Sequence, residues 1–295
     1  DISVTTMVGT ESLPFSGAFD GQGHTLNVNI ESDAWGAAPF NIVGPNTTIK
    51  NLKTQGTVTS YSYHSSGLIG GSNGWDNFSI AVINCKVAVT VNGTGYAGGF
   101  IGHAMCMQPV FTDCIFSGSI NGCGENHGCF VGWKEWESCP VYVNCLSIPA
   151  SLGEGYSCDF SHPGNGGSAD QATLTNCYSY YAGGFSLTQG TSATSAQLAD
   201  GTVAYSLQNG SRDWTDGQVW GQLIGTDAVP LLTADAAKGI YKVSFSVGGQ
   251  VVKAIVGNSP LGDKMPTGED FGLTNATFTY NGSTFTGTTP FTSDI

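Results

Sequence analysis

The sequence has few charged residues, and cations are the scarcest among them. Only 11% of its 295 residues are charged, nine are Lys or Arg, and Arg212 is the single arginine. Binding to nucleic acid or to an anionic membrane surface depends on clustered cations, because neutralised phosphates supply most of that affinity. The formal net charge of −13 therefore argues against both kinds of partner.

Long apolar runs and metal-ligand spacings are also missing. No stretch approaches the roughly 18 consecutive apolar residues that a membrane-spanning helix requires, so membrane insertion is not predicted. The nine cysteines include no Cys-x-x-Cys pair, and the five histidines show no spacing typical of metal ligands. We predict neither a metal site nor a cofactor.

A short pattern recurs about every 31 residues. An Asn or Asp follows a large apolar residue by two positions and precedes Leu or Cys, at intervals of 33, 29, 31 and 32 residues. A repeat of this length is typical of solenoids, in which each coil contacts only its neighbours. The five positions are Asn51, Asn84, Asp113, Asn144 and Asn176.

The apolar residues on both sides of each Asn or Asp predict a corner. Positions three apart in a strand face opposite sides of the sheet, so both can be buried only if the chain turns between them. Asn and Asp tolerate the left-handed conformation that such a corner requires. We therefore predict one vertical column of these side chains, with successive coils about 4.8 Å apart.

A second corner recurs in phase with the first. It comprises Gly67-Leu68-Ile69-Gly70, Gly99-Phe100-Ile101-Gly102 and Cys129-Phe130-Val131-Gly132, at intervals of 32 and 30 residues. The two series together predict an all-β chain. Residues 1–233 are expected to form a right-handed parallel β-solenoid of about seven coils, and residues 234–295 a small β-grasp-like module.

Several of these segments resemble a known family. Residues 15–26, Phe-Ser-Gly-Ala-Phe-Asp-Gly-Gln-Gly-His-Thr-Leu, are similar to the entry coil of GLUG-motif β-helix proteins of bacterial surfaces. The Gly-Leu-Ile-Gly and Gly-Phe-Ile-Gly corners resemble the motif that names the family, and residues 199–207 and 219–232 resemble its short helix and closing segment. The resemblance covers about residues 10–233 and implies a bacterial surface β-helix without implying a chemistry.

The C-terminal residues are rich in strand and turn signals. Tyr241–Val247 alternates apolar and polar residues before the turn signal Gly248-Gly249. Asn281-Gly282 is the favoured two-residue hairpin turn, and it places Phe278 opposite Phe285.

This C-terminal stretch is similar to the internalin B-repeat class of β-grasp-like modules, especially at residues 285–287 and 290–295. Solenoid ends and the edge strands of such modules both offer unpaired backbone groups. We therefore predict that copies of the chain associate through their ends.

Four cysteines directly follow the Asn or Asp of the first corner and are predicted to point inward as one stack of small apolar side chains. They are Cys85, Cys114, Cys145 and Cys177. Adjacent coils bring Cα atoms within disulfide range, so pairing within this stack remains open. Bridges between Cys106 and Cys139 and between Cys129 and Cys158 remain open too.

A glycoside hydrolase is the alternative to a binding function. Such an enzyme uses two carboxylates roughly 5–9.5 Å apart, a separation that one or two coils provide. Glu125 and Glu154 are expected to stack on adjacent coils, and Asp76 and Glu137 to lie two coils apart. A lyase acting on uronic acids is disfavoured because the scattered cations form no basic cleft.

Aromatic residues near the corners favour a binding face. Exposed rings on a rigid solenoid stack on sugars or form protein contact hot spots. The predicted binding residues are Tyr61, Tyr63, Trp75, Tyr96, Trp133 and Trp136.

The sequence therefore predicts an extracellular or cell-surface structural protein that acts by adhesion or self-association and not by catalysis. The expected partners are a glycan, a host or cell-surface protein, and other copies of the same chain. Nucleic acid and membrane lipid are not expected partners.

Overall fold

The computed structural model describes residues 1–72, 77–122, 126–135, 137–164, 172–212 and 217–295. The chain is all-β, and its parallel sheets form a β-solenoid of about five turns. Two compact units are present: residues 1–193 with 210–213, and residues 194–209 with 214–295. The predicted domain boundary after residue 233 stays a prediction.

Each full coil contributes strands to four parallel sheets, numbered here in the order in which the chain visits them. The first sheet contains Ala18–Asp20, Thr48–Lys50, Phe78–Ile83, Met107–Thr112, Val141–Val143 and Thr173–Thr175. The second sheet contains Ile2–Val4, Thr25–Ser32, Lys53–Ser60, Lys86–Asn92, Ile115–Phe116, Ser119–Asn121, Leu146–Ser147, Ser151–Leu152, Tyr178–Ser179 and Thr191–Ser192.

The third and fourth sheets complete the coil. The third sheet contains Gly36–Ala37, His64–Ser66, Tyr96–Gly98, Asn126–Gly128 and Tyr156–Cys158. The fourth sheet contains Phe40–Val43, Ile69–Ser72, Ile101–Ala104 and Val131–Lys134. Alternating buried and less buried residues along the strands of the first and second sheets bury one face of each inside the coil. The strands of the third and fourth sheets are buried along nearly their whole length.

The predicted column of Asn and Asp side chains is present between the first and second sheets. The residues that precede the five positions pair in register from coil to coil, and all five have φ between 51° and 53°. Asn84 donates to Asn51 Oδ1 at 2.8 Å, and Asn176 donates to Asn144 Oδ1 at 2.8 Å. Asp20 accepts from Asn51 Nδ2 at 3.0 Å at the N-terminal end of the column.

We expect Asn84→Ala to lower the free energy of unfolding by about 1 kcal/mol more than Asn84→Gly. Both variants lose the amide bond to Asn51, but only alanine brings a Cβ into the left-handed conformation, at a cost of roughly 1–2 kcal/mol. The greater entropy of glycine in the unfolded chain offsets about 0.5–1 kcal/mol of that difference. Urea unfolding of both variants measures it, and equal stabilities would contradict a corner set by backbone conformation.

Among the five corner positions of the column, Asp113 alone is an acid, and its charge is paired. Asp113 is fully buried, and Arg212 donates to its two carboxylate oxygens from Nε and Nη2, at 3.1 Å each. This bidentate arrangement is the strongest form of an Arg–carboxylate bond. The neighbouring Ser211 carbonyl accepts from Asn144 Nδ2 at 3.2 Å. The chain's single arginine thus neutralises the one acid of the column.

The predicted cysteine stack is present as free thiols. Its four members are buried, and each thiol donates to the carbonyl oxygen two residues earlier, at 3.3–3.4 Å. Burial raises the pKa of Cys85 to about 12. None of the disulfides left open by the sequence is present among the described residues. Cys123 lies outside the described residues.

Register explains why the two other candidate bridges are absent. Gln108 lies opposite Cys139, and its side-chain Oε1 accepts from the Cys139 backbone N–H at 2.7 Å. Cys106 is therefore two residues away from the position that pairs with Cys139. Cys158 pairs in register with Gly128, which places Cys129 one position out of step. Neither pair is therefore directly opposite across adjacent coils, which is the position that a bridge between coils would need.

Seven predicted coils proved too many, because the solenoid ends earlier than expected. After Cys177 only two-residue strands, Tyr178–Ser179 and Thr191–Ser192, continue the second sheet. The chain then forms the helices Ser195–Ala199 and Thr202–Gln208, followed by an antiparallel pair, Trp220–Gly221 with Leu231–Leu232. No helix among the described residues is long and apolar enough to cross a bilayer.

The second unit contains both predicted C-terminal hairpins. Tyr241–Val247 pairs antiparallel with Gln250–Gly257, and Phe278–Tyr280 pairs with Ser283–Phe285, which places Phe278 opposite Phe285 as expected. Short 3₁₀ helices span Ala236–Lys238, Gly262–Lys264 and Gly268–Phe271. The core of the unit comprises Val243, Phe245, Leu261, Phe285 and Phe291.

Candidate binding face

The glycines of the second corner hold the third and fourth sheets in close backbone contact. A Cβ on Gly70 of the fourth sheet would lie 2.6 Å from the carbonyl oxygen of Gly36 on the third, and one on Gly132 would lie 2.3 Å from the carbonyl carbon of Ala97. Cβ atoms essentially never approach other heavy atoms within 3.0 Å. Only glycine therefore fits here, and its absence of a side chain brings residues of the two sheets together.

Rings from both sheets stack across successive coils. The imidazoles of His64 on the third sheet and His103 on the fourth lie 4.4 Å apart with planes 9° from parallel. Trp35 contacts both rings edge-on, at centroid distances of 4.6 and 5.1 Å. Tyr96, which pairs in register with His64, stacks on Trp133 at 4.0 Å.

The stack continues toward the C-terminal coils. Trp133 stacks on His162 at 5.1 Å, and Tyr156 meets His162 edge-on at 5.5 Å. Tyr63 lies 6.4 Å from His64. We call the whole set the aromatic face; it consists of Trp35, Tyr63, His64, Tyr96, His103, Trp133, Tyr156 and His162.

Hydrogen bonds fix the orientation of several rings. Glu135 accepts from Trp133 Nε1 at 3.1 Å and lies 3.3 Å from His103 Nε2. The backbone N–H of Gly164 donates to His162 Nδ1 at 3.1 Å, so Nε2 carries the proton and donates to the side-chain oxygen of Asn126 at 3.1 Å. His162 is thereby held as one neutral tautomer.

Burial keeps the imidazoles of this region uncharged. Desolvation lowers the pKa of His64 to about 3, helped by repulsion from His103, and it lowers the pKa of His127 and His162 to about 4. A general base works best with a pKa near the working pH. At neutral pH these imidazoles therefore act as flat neutral rings and not as proton acceptors.

The predicted binding residues differ in their exposure to solvent. Tyr61 and Tyr63 are 60% and 67% exposed, and the Tyr61 hydroxyl donates to the Glu31 carboxylate. Tyr96 is half-buried, while Trp133 is only 7% exposed and packs within the stack. Trp75 and Trp136 lie outside the described residues.

The carboxylates of the enzyme alternative are only partly described. Glu154 and Glu137 are exposed, and Glu137 accepts from Asn77 Nδ2 at 2.5 Å. Their expected partners, Glu125 and Asp76, lie outside the described residues. The enzyme alternative therefore stays a prediction.

One buried carboxyl group does have a raised pKa. Asp159 is fully buried, and desolvation raises its pKa. Its oxygens accept the backbone N–H groups of Gln189 at 2.8 Å and Gly190 at 3.1 Å. These bonds give Asp159 a structural role, since it holds the turn of the next coil.

Five residues of the aromatic face were not among the predicted binding residues, namely Trp35, His64, His103, Tyr156 and His162. A usable signal existed for His103, because His103 and Trp133 each follow the last glycine of the recurring corner and pair in register. His127 pairs in register with Ala97, and Asn126 lies opposite Tyr96.

Comparison with protein-family models and with curated proteins returned no match. The resemblances to GLUG-motif and internalin-type proteins therefore stay predictions. Among solved structures, a crystal structure of a candidate immunoglobulin A1 protease from Bacteroides ovatus is similar, with a TM-score of 0.51 and 16% identity over 79% of this chain and 73% of that one. At this identity the likeness shows the fold alone.

Proposed function

We propose that this chain is an extracellular or cell-surface adhesive protein that binds its partner through the aromatic face, without catalysis. The proposal rests on one observation, the stack of rings that runs across successive coils and has exposed tyrosines at its edge. Coils about 4.8 Å apart hold such rings rigidly. Rings that are already ordered lose little conformational freedom on binding, so more of the contact energy remains as affinity.

Charge supports a partner that is neutral or cationic. The strands of the third and fourth sheets contain one Lys or Arg, Lys134, and it is only 1% exposed. The exposed carboxylate Glu31 lies near the end of a second-sheet strand, and Asp33 and Glu154 lie in the turns between the second and third sheets. Together with the net charge of −13, these acids repel anionic ligands.

Replacing both Tyr63 and Tyr156 by leucine is expected to weaken binding at least tenfold. Truncation of well-placed aromatic contacts costs about 1–3 kcal/mol each. Both side chains are exposed, so the double variant should unfold at nearly the wild-type temperature. Binding is measured on an array of glycans and extracellular proteins.

Tyr280→Leu is the matched control for this experiment, because Tyr280 is exposed in the C-terminal unit. We expect it to bind like the wild type. Undiminished binding by the double variant would refute adhesion through the aromatic face. Self-association through the chain ends is a separate prediction, tested by the oligomeric state at high concentration.

A further inference from the structure

We propose that a groove at the C-terminal end of the aromatic face binds a hexopyranose unit that carries a free amine. This inference deepens the proposed function and rests on it. The groove lies between residues 152–157 of one coil and 181–186 of the next, and its volume is about 380 Å³. That size is within the range of sites that take small ligands.

The outer wall of the groove is a turn held at fixed points. Gly184 donates its backbone N–H to the Tyr181 carbonyl at 3.0 Å and has a φ of 73°. The Tyr181 hydroxyl accepts the backbone N–H of Leu152 at 3.2 Å. A Cβ on Gly183 would lie 2.6 Å from the Tyr181 ring. The ring therefore lies directly over the glycine backbone and is anchored at its far end.

The two walls of the groove are joined by a reciprocal pair of hydrogen bonds. The Ser157 backbone N–H donates to Ser186 Oγ at 3.2 Å, and the Ser186 N–H donates to Ser157 Oγ at 3.3 Å. Both walls are thus fixed relative to each other before a ligand arrives. A preformed site loses less entropy on binding than a mobile one.

The lining offers the contacts that a sugar ring uses. Tyr181 and Phe185 are half-buried with ring centroids 5.8 Å apart, so each ring keeps an accessible part against which the C–H groups of a pyranose can pack. Four glycines line the rest of the groove, at positions 153, 155, 183 and 184. Their exposed backbone lets hydroxyl groups approach peptide N–H and C=O groups closely.

Charge selects among sugars. Glu154 is the one charged residue among the residues described as lining the groove, and it is exposed. A carboxylate attracts an ammonium group, accepts hydrogen bonds from neutral hydroxyls and repels the carboxylate of a uronic or sialic acid. The lining therefore favours an amino sugar over a neutral sugar, and a neutral sugar over an acidic one.

The groove adjoins the aromatic face along the chain. Tyr156 lies between the groove residues Gly155 and Ser157, and its ring contacts His162 of the stack. A glycan chain bound along the rings would then extend toward the groove. This adjacency favours an oligosaccharide over a single free sugar.

The test uses β-1,4-linked tetramers of glucosamine, N-acetylglucosamine and glucuronic acid, titrated calorimetrically into the whole chain. The first two differ at the nitrogen, which is an ammonium group in glucosamine and a neutral acetamide in N-acetylglucosamine. An exposed ion pair contributes about 0.2–1 kcal/mol, so we expect the glucosamine tetramer to bind up to about fivefold tighter than its acetylated form. The glucuronic acid tetramer is expected to bind most weakly.

Two variants separate charge from stacking. Glu154→Gln should abolish the preference for the amine by weakening the glucosamine tetramer more than the acetylated tetramer, while the matched Glu137→Gln should keep the preference. Tyr181→Leu should weaken both tetramers about tenfold, and Tyr181→Phe should weaken them less. A preference that survives Glu154→Gln, or undiminished binding by Tyr181→Leu, would overturn the inference.

The proposed function and this inference fail in different ways. If no tetramer binds while the chain still adheres to a protein through Tyr63 and Tyr156, the inference is wrong and the adhesive function stands. If the tetramers bind in the groove but the double tyrosine variant adheres normally, adhesion through the aromatic face is wrong.

Discussion

Lowering the pH from 6.5 to 5.0 is expected to reduce the free energy of unfolding by about 3–5 kcal/mol, through three buried imidazoles. His64, His127 and His162 have a pKa of about 3–4 in the folded chain, against about 6.5 when unfolded. Between these values the unfolded chain binds more protons than the folded chain. The stabilisation is therefore complete above pH 6.5 and is lost as the pH falls toward 4.

Neighbouring groups change this dependence only in part. Burial also lowers the pKa of His103, while the Glu135 carboxylate opposes that shift. Asp159 has a raised pKa, so its protonation in the folded chain favours folding at low pH. As the pH falls, the protonation of Asp159 therefore opposes the loss of stability that the imidazoles cause.

His64→Phe isolates one imidazole without removing its ring from the stack. Because one fewer proton is taken up on unfolding, the slope of stability against pH should decrease by up to about 1.4 kcal/mol per pH unit. Urea unfolding between pH 5 and 7 measures the slope, with His24→Phe, at an exposed histidine, as the control. An unchanged slope in His64→Phe would show that His64 does not titrate on unfolding.

Arg212→Ala is expected to lower the free energy of unfolding by about 3–5 kcal/mol, because removing one partner of a buried ion pair leaves an uncompensated charge. The charge that remains is Asp113, whose side chain is fully buried in the column. This effect is much larger than that of an exposed ion pair, which contributes about 0–1 kcal/mol.

Combining Arg212→Ala with Asp113→Asn should recover most of the lost free energy of unfolding, because the new Asn matches its neighbours in the column. Asparagine tolerates the φ of 51° at this position, and its amide suits a column whose members bond through amides. Chemical denaturation of the single and double variants gives the coupling energy. Equal instability of Arg212→Ala and the double variant would mean that the buried charge is not the cause.

The repeated part of the fold was predictable because each coil has the same residue types at the same corner and must bury the same apolar side chains. Asn51, Asn84 and Asn144 each separate two apolar side chains that must both be buried, and a left-handed corner follows from that requirement alone. The inward cysteines follow from the same pattern. The hairpin at Asn281-Gly282 was also predictable, because its turn chemistry is local.

The rest depends on contacts that leave no periodic signal. Trp35 and His162 belong to no repeated sequence pattern. They join the stack of rings because the glycine corner brings the third and fourth sheets together. Arg212 lies 99 positions from Asp113, and no spacing in the sequence indicates that pair. The coil count was overestimated because Gly-rich turns continue beyond Cys177 while the strands shorten to two residues.

The stacking of successive coils can be measured directly by disulfide trapping on the second sheet. Thr57 and Thr90 pair in register on adjacent strands, so cysteines there should have Cα atoms within the 4.4–6.8 Å range of a disulfide. On mild oxidation the Thr57→Cys/Thr90→Cys variant should form an intramolecular 57–90 bond, identified by mass spectrometry. Thr57→Cys/Asn92→Cys, two residues out of register, should not. Equal yields from both pairs, or none from either, would contradict a solenoid whose side chains stack coil upon coil.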